Sequence, residues 1–310
     1  MHICKFFCNF ARLFVKIMKN IAFIINPMSG TQNKRKLPKV IEKELDRTQW
    51  LPNIVFTEYA GHAVELARQY AQMGFDAVVA VGGDGTVNEV ARGLRDSKTA
   101  LGIIPMGSGN GFARHLHIPM VPARAIQMLN HSEVIACDYG LANDHLFIST
   151  CGTGFDALIA EQFDGSTKRG FKTYFEKIIK DLMTYRSQTY HIIGDGLDLE
   201  RKAFLITFAN AGQWGYEAYI APHASIQDGH MDICMMSSSA ILGAASLAAR
   251  LFTKTIDKSL FMDTIRAKAI TLIREAEAPF HLDGDPVSME KDIHIRIVAD
   301  GIRVLAEKRF

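Results

Sequence analysis

The 310-residue sequence has no marked excess of either charge: 35 Lys and Arg stand against 33 Asp and Glu, a formal net charge of +2. Such a balance offers no electrostatic footprint for nucleic acid. Cysteine is scarce and unpatterned. Cys4, Cys8, Cys137, Cys151 and Cys234 share no metal-ligand spacing, so neither a disulfide framework nor a cysteine zinc site is suggested, which fits a reducing compartment. Long apolar runs are missing too. In residues 1–17, Phe6, Phe7, Phe10, Leu13, Phe14 and Ile17 are broken up by Lys5, Arg12 and Lys16, too short and interrupted a stretch to span a bilayer. No small-residue cleavage site marks it as a signal peptide. An amphipathic membrane-surface helix remains one reading; an extension packed on the body, or a start upstream of the true one at Met18, are the preferred ones. The two commonest phosphate motifs, the Walker lysine loop and G-x-G-x-x-G, are also absent.

What is present has globular proportions: 48% hydrophobic and 22% charged residues. The length predicts two domains. The chain is organised around V-V-A-V-G-G-D-G-T-V-N-E-V-A-R at 78–92. Val78 to Val81 read as a buried parallel strand. Val87, Val90 and Leu94 give the following helix its inward face. Between them, Gly82, Gly83, Asp84, Gly85 and Thr86 form a turn of the kind that presents bare backbone N–H groups to a phosphate. Taken alone, a tight turn with a capping Asp or Thr explains the same residues. A second unit follows: Leu101 to Ile104 as strand, then Pro105, Gly107, Ser108, Gly109, Asn110 and Gly111. Two such turns after successive strands would lie together at the carboxyl edge of one sheet, where open α/β folds bind ligands.

Around them, Ile21 to Ile25 and Leu51 to Phe56 predict two further strands, followed by Asn26-Pro27-Met28-Ser29-Gly30 and by Thr57. Helices are expected over 61–73 and 123–129, with Thr31 and Asn33 as candidate caps of an earlier one. Lys34, Arg35, Lys36 and Lys39 crowd that helix start, where cations oppose the dipole; a solvated basic face and phosphate contact both account for them. Strands alternating with helices predict a parallel sheet with right-handed crossovers.

Beyond residue 140 the pattern is strand-rich. Strands are expected at 133–140, 145–150, 189–194, 200–209, 217–220, 231–235, 260–266, 268–274, 278–282, 291–297 and 302–306. Gly152 to Asp156 read as an interruption, 155–184 as largely helical, and 241–252 as a helix. An antiparallel sandwich or barrel is the natural packing. The helical stretch near 160–185 sets Phe163, Phe171 and Tyr174 beside Lys168, Arg169 and Lys172. It reads as an ordinary helix over a sheet in preference to a membrane-binding face. Asn210 to Tyr216 reads as a loop. Ser225, Asp228 and His230 sit in a turn whose polar groups would also suit a hard cation, with His230 contributing its carbonyl. Phe280-His281-Leu282-Asp283-Gly284-Asp285-Pro286 ends a strand in two carboxylates, and Asp-Gly is equally a hairpin turn.

The ordered set Asn26-Pro27-x-Ser29-Gly30, Gly82 to Glu89, Pro105-x-Gly107-Ser108-Gly109-Asn110 and Asp283-Gly284-Asp285-Pro286 resembles the diacylglycerol kinase catalytic domain family, specifically bacterial soluble lipid kinases related to sphingosine kinases, over residues 18–310. The resemblance implies an N-terminal α/β nucleotide-binding domain at 18–140, completed in relatives by the last strands near 290–310. An antiparallel β-rich lipid domain at 141–289 and a cleft between the two are also implied. It further implies an ATP-dependent kinase that transfers a γ-phosphoryl group to a membrane lipid hydroxyl, diacylglycerol or a related glycerolipid. Sphingoid-base kinase, NAD kinase and non-catalytic lipid-binding protein stand as alternatives. Nucleotide contacts fall on Asn26, Ser29, Thr57, Gly82, Gly83, Asp84, Gly85, Thr86, Val87, Asn88, Gly107 and Ser108. A structural Mg²⁺ falls on Ser225, Asp228 and His230, partly through backbone oxygens. Asp84 is the candidate for the catalytic Mg²⁺, and Asp285 for the acceptor hydroxyl. Asp285 stands where the family carries glutamate, one methylene longer. Leu158 stands where sphingosine kinases carry an acid, with Asp156 nearby but out of phase, which disfavours a sphingoid base. A cytoplasmic protein in transient contact with the inner membrane face is implied, and a homodimer is compatible with it.

Overall fold

The computed structural model describes residues 18–30, 34–164, 181 and 184–307. The expected N-terminal extension, the caps Thr31 and Asn33, and the basic and aromatic residues of 165–180 lie outside the described residues.

The first half alternates strands and helices: β1 Lys19–Ile25, α1 Leu37–Glu44, β2 Trp50–Phe56, α2 His62–Gln72, β3 Ala77–Gly82, α3 Asp84–Leu94, β4 Ala100–Pro105, α4 Gly111–His115 and α5 Pro122–Leu129. Ile21 to Ile25 and Ala77 to Val81 have no exposed surface, because helices cover both faces of the sheet, and such strands are apolar without alternation. Each large aliphatic side chain so buried contributes about 1.5–3 kcal/mol. Helix α3 turns Val87, Val90, Ala91 and Leu94 into this core. β1 pairs in parallel with β2 on one side and β3 on the other, and β3 continues to β4. The strand order therefore reverses between β1 and β3. That reversal opens a crevice at their carboxyl ends, where an α/β sheet binds its ligand.

The second half adds β5 Glu133–Ala142, β6 His145–Phe147, β7 Thr150–Gly154, α6 Phe155–Asp164, β8 Gln188–Gly194, β9 Leu197–Ala209, β10 Gln213–Gly215, β11 Ala218–Tyr219, β12 Met231–Ser237, α7 Ala244–Phe252, β13 Met262–Ala267, β14 Ala269–Arg274, β15 Ala278–Leu282, β16 Asp285–Met289 and β17 Asp292–Ala306. The described pairings among β7 to β9 and β12 to β16 are antiparallel. The sandwich-like second half follows from them.

Three expectations need correction. Gly152 does not interrupt the sheet: β7 runs through it, because a side chain there would meet the Ile206 carbonyl at 2.7 Å and Asp156 Oδ2 at 2.6 Å. Glycine at this position serves close packing between strands. The strands expected at 291–297 and 302–306 are one strand, β17, with a register shift against β5 between Val298 and Ile302. The strand expected at 217–220 shrinks to Ala218–Tyr219, paired with β10 inside the supposed loop.

β17 joins the two halves. Its start lies against β14, with Ile293 and Ile295 in the core of the second half. Its end reaches β4 through Val304 and Leu101, placing Ile302, Val304 and Leu305 in the first core.

Candidate active site

Three loops meet at the crevice. Asn26, at the end of β1, donates from Nδ2 to Thr86 Oγ1 at 3.1 Å, and its Oδ1 accepts the Met28 N–H at 2.9 Å. The glycine turns after β3 and β4 touch backbone to backbone: a Cβ on Gly107 would lie 2.4 Å from Gly83 Cα. Asn110, left-handed at φ 53°, holds the second turn closed, accepting from Gly107 N–H at 3.1 Å and donating to Gly107 O at 2.9 Å. Asp84 ties the turns together. Its Oδ2 accepts the Asn110 N–H at 2.7 Å and its Oδ1 the Gly111 N–H at 2.8 Å.

The expected basic crowd divides in two. Arg35, Lys36 and Lys39 are exposed, whereas Lys34 is buried. Its ammonium donates to Asn26 O at 2.7 Å and to both the carbonyl and the hydroxyl of Ser29. Burial lowers its pKa, since desolvation disfavours the charged form. Lys34 thus braces the loop from beneath.

Two carboxylates of the late Asp-Gly-Asp-Pro hairpin arrive from the other half. Asp283 accepts four hydrogen bonds: from Asn88 Nδ2 at 2.8 Å, and from the N–H groups of Ile148, Ser149 and Thr150 at 2.9, 2.7 and 3.1 Å. Burial raises its pKa against the pull of those donors. Asp285 is exposed, with its carboxylate turned toward Gly85. The Asp84 carboxyl is pushed up to about 6, first by burial and then by the charges of Asp283 and Asp285, against the two backbone donors.

The structure therefore brings Asn26, Ser29, Gly82 to Thr86 and Gly107 together with Asp84 and Asp285. Ser108 is exposed on the second turn, and Thr57 lies at the end of the adjacent β2, its N–H bonded to Ile25 O at 2.9 Å. The side chains of Val87 and Asn88 are buried. Val87 is core, and the buried Asn88 amide donates to Leu146 O at 3.0 Å as well as to Asp283. Its role is to join the halves.

The Ser225, Asp228 and His230 turn does not form a side-chain cage. The Asp228 carboxylate is paired with Arg266 and accepts the His230 N–H at 3.0 Å, while His230 Nδ1 sits 2.6 Å from Asp228 O. No group of three His, Cys, Asp or Glu able to hold a metal occurs among the described residues.

A cavity of about 530 Å³ opens beside Asp84, Asp283 and Gly284. It runs between α6 and α7, and Phe155, Ile159, Phe204, Leu247 and Leu251 make its walls apolar. Among its polar members, the sequence motifs assign no role to Gln213 or His281, and Asp156 enters them only as out of phase. Asp156 Oδ2 accepts from Thr207 Oγ1 at 2.8 Å and lies 3.2 Å from His281 Nε2. Strand alternation held a signal for His281: Phe280 and Leu282 enter the core, so the residue between them faces the cavity side. Gln213 had none.

Comparison with known proteins follows the same division. Residues 20–142 match the family model described as diacylglycerol kinase catalytic domain, and residues 149–306 the model described as YegS C-terminal NAD kinase beta sandwich-like domain. A Yersinia enterocolitica protein named "Probable lipid kinase YegS-like" is 28% identical over 250 residues, covering 78% of this chain and 83% of its own. A protein of the same name from Yersinia pestis is 29% identical over the same shares. A solved structure described as a diacylglycerol kinase from Bacillus anthracis superposes with a TM-score of 0.72 at 23% identity, over 94% of this chain and 98% of that one. At that identity the likeness establishes the fold.

Proposed function

This chain belongs to the diacylglycerol kinase catalytic domain family, in the branch with a YegS-type C-terminal sandwich, and from that premise we propose that it is a lipid kinase transferring the γ-phosphoryl group of ATP to the hydroxyl of a neutral glycerolipid, diacylglycerol or a close relative. The observation that carries this reading is the apolar cavity opening at the carboxylates beside the glycine turns. A phosphate site alone suits many acceptors; an apolar chamber at its edge suits an acyl chain.

In this reading the backbone N–H groups of the 82–86 turn and of Ser108 cradle the phosphates, with Asn26, Ser29 and Thr57 around the nucleotide, while Gly107 closes its own turn through Asn110. Phosphoryl transfer rests on positioning and charge neutralisation. The acceptor oxygen bonds to the γ-phosphorus, the bond to the β-phosphate oxygen breaks, and the hydroxyl proton passes to Asp285. A divalent cation would neutralise the phosphates, and Asp84 fits it. Its carboxylate is held by two backbone donors beside two further acids, a site that a cation would relieve of like-charge repulsion. The 225–230 turn would offer a cation only backbone oxygens, given the engagement of Asp228 by Arg266.

As domain limits we propose 18–140, completed by the end of β17, for the nucleotide half, and 141–289 for the lipid half. No described helix is long and apolar enough to cross a membrane. The acceptor would then be met at a membrane surface. Exposed Phe252 and Leu260, beside Arg250, Lys254 and Lys258 at the end of α7, support such contact. The test is ATP-dependent transfer of labelled phosphate to dioctanoylglycerol, with monoacylglycerol, ceramide, sphingosine and NAD as parallel acceptors. Labelled diacylglycerol phosphate is expected; transfer to NAD alone, or to none of them, sinks the proposal.

A further inference from the structure

The cavity is apolar along its walls but holds polar groups that the protein leaves unmatched. Gln213 has no exposed surface, and neither Nε2 nor Oε1 of its amide has a hydrogen-bond partner among the described residues. Nor does Trp214 Nε1, nor His281 Nδ1, the latter on a ring only 3% exposed. All three residues line the cavity. A buried polar group without a partner costs about 1–3 kcal/mol, so four such atoms around one chamber are a standing expense unless something enters to match them.

Their chemistry describes what enters. Asp156 is already engaged, by Thr207 Oγ1 at 2.8 Å, by the Ala157 N–H at 2.8 Å and by His281 Nε2 at 3.2 Å. Its carboxylate is spent within the protein and orients the imidazole, as a second partner commonly fixes a histidine tautomer. In the tautomer that gives Nε2–H to Asp156, Nδ1 is an acceptor. Gln213 Oε1 is a second acceptor, while Gln213 Nε2 and Trp214 Nε1 are donors. Within the collar itself a cationic amine would find no uncommitted carboxylate, the other acids of the cavity, Asp84 and Asp283, standing where it opens beside the glycine turns. A carbonyl oxygen would meet donors, and a hydroxyl an acceptor.

We propose that Gln213, Trp214 and His281 form a polar collar in the cavity that reads the ester carbonyl and hydroxyl of an uncharged acylglycerol, and so select it over ether lipids and sphingoid bases. This rests on the lipid kinase reading for its consequence in turnover, but not for binding. Asp156 is a positioning residue for His281. Gln213 suits the role because its backbone is fixed from behind: a Cβ on Gly111 would meet Gln213 O at 3.1 Å. The collar is thus anchored to the helix start that Asp84 caps through the Gly111 N–H.

The test compares calorimetric binding of dioctanoylglycerol with that of its dioctyl ether counterpart, which keeps the hydroxyl and chains but lacks both carbonyls, and of sphingosine. Wild type is expected to bind the ester about tenfold or more tightly than either. In Gln213→Leu the ester should weaken to the level of the ether, while Tm stays level or rises, since an unmatched buried amide has been removed. Asp156→Asn should weaken ester binding and shift the pH dependence of binding. Equal binding of ester and ether by wild type overturns the proposal, as does binding of neither. A Gln213→Leu protein that retains ester preference, or that loses preference together with several degrees of Tm, also overturns it. Phosphate transfer is measured in parallel. Ester-selective binding without transfer would leave the collar standing and remove the kinase assignment instead.

Discussion

The carboxylate of Asp285 rests against the bare Cα of Gly85: a methyl group on that glycine would stand 3.1 Å from Asp285 Oδ2. Gly85 lies in the first turn of α3 and Asp285 opens β16, so the contact sets how closely the Asp285 carboxylate approaches the first glycine turn. Gly85→Ala must displace the carboxylate by a few tenths of an ångström. Misplacement of a reacting group by about 1 Å lowers a rate about a hundredfold, so a shift of a few tenths predicts a loss of about threefold to tenfold. A steady-state assay should therefore show kcat falling with KM for ATP nearly unchanged. Asp285→Glu pushes an extra methylene into the same gap and should lower kcat rather than restore a family optimum. A Gly85→Ala enzyme with wild-type kcat would remove Asp285 from the reaction.

Asp84 titrates up to about 6 through burial and the charges of Asp283 and Asp285. The folded state therefore holds this proton at pH values where the unfolded chain, near the ordinary carboxyl pKa of 3.8, has released it. The sign follows by linkage: this group makes the fold less stable as pH rises from about 4 to about 6, by an amount on the order of 3 kcal/mol, and the loss is complete above 6. Activity runs the other way, because the ionised form is the one that suits a cation. The acid limb of kcat/KM is expected near pH 6, while Tm measured across pH 4 to 7 carries an opposing contribution. An activity profile flat from pH 5 to 8 would contradict the role given to Asp84.

The α/β half and both glycine turns were legible because their signals are local: an apolar run for a strand buried on both faces, a 3.6-residue period for α3, glycines where backbones touch. The acceptor side was legible only as a motif. Nothing near Asp283 in sequence announces that its oxygens hold Asn88 and the N–H groups of 148–150, partners 133 to 195 residues away. The same distance hid the collar. Gln213 and His281 meet one cavity only because β10 packs under α4 and β15 pairs with β7. Asn88 shows the same distance from the other side: its place in the glycine motif marks it as a nucleotide contact, and nothing local announces that its amide also donates to Leu146 O and Asp283.

Asp283 should matter for folding more than for chemistry. Its removal leaves three backbone N–H groups and the Asn88 amide without their acceptor, and breaking a buried charged network of this kind costs about 3–5 kcal/mol. Asp283→Ala is expected to lower the urea midpoint strongly, with Asn88→Ala giving a smaller loss. Because the two share a bond, their effects should fall short of additive in a double-mutant cycle. Full additivity would mean that the 2.8 Å contact contributes nothing.

Arg274 closes the far end of the same hairpin. It is 1% exposed, and its guanidinium donates to Ala278 O at 2.8 Å and to Met289 O and Glu290 O at 2.6 Å each. Three carbonyls from both hairpin strands thus meet one planar fork, which an ammonium cannot reproduce. Arg274→Lys is expected to destabilise by about 2–4 kcal/mol and to loosen β15 and β16 together, read as faster amide exchange at Phe280 and Val287. Exchange confined to one strand would refute the clamp.

Lys34 separates two readings of the basic cluster ahead of α1. As a phosphate ligand it would act by long-range charge, and the loss caused by Lys34→Met would shrink as salt screens the interaction. As a brace it acts by filling three acceptors of the Asn26 to Ser29 loop from below, and salt is immaterial to a buried contact. The burial that lowers its pKa favours the second. Lys34→Met is expected to raise KM for ATP about tenfold with kcat little changed, equally at 50 and 500 mM salt as chosen test conditions of about one decade. Arg35→Met, altering an exposed neighbour, should leave KM within about twofold. A Lys34→Met defect that fades at high salt would make this ammonium a direct nucleotide ligand.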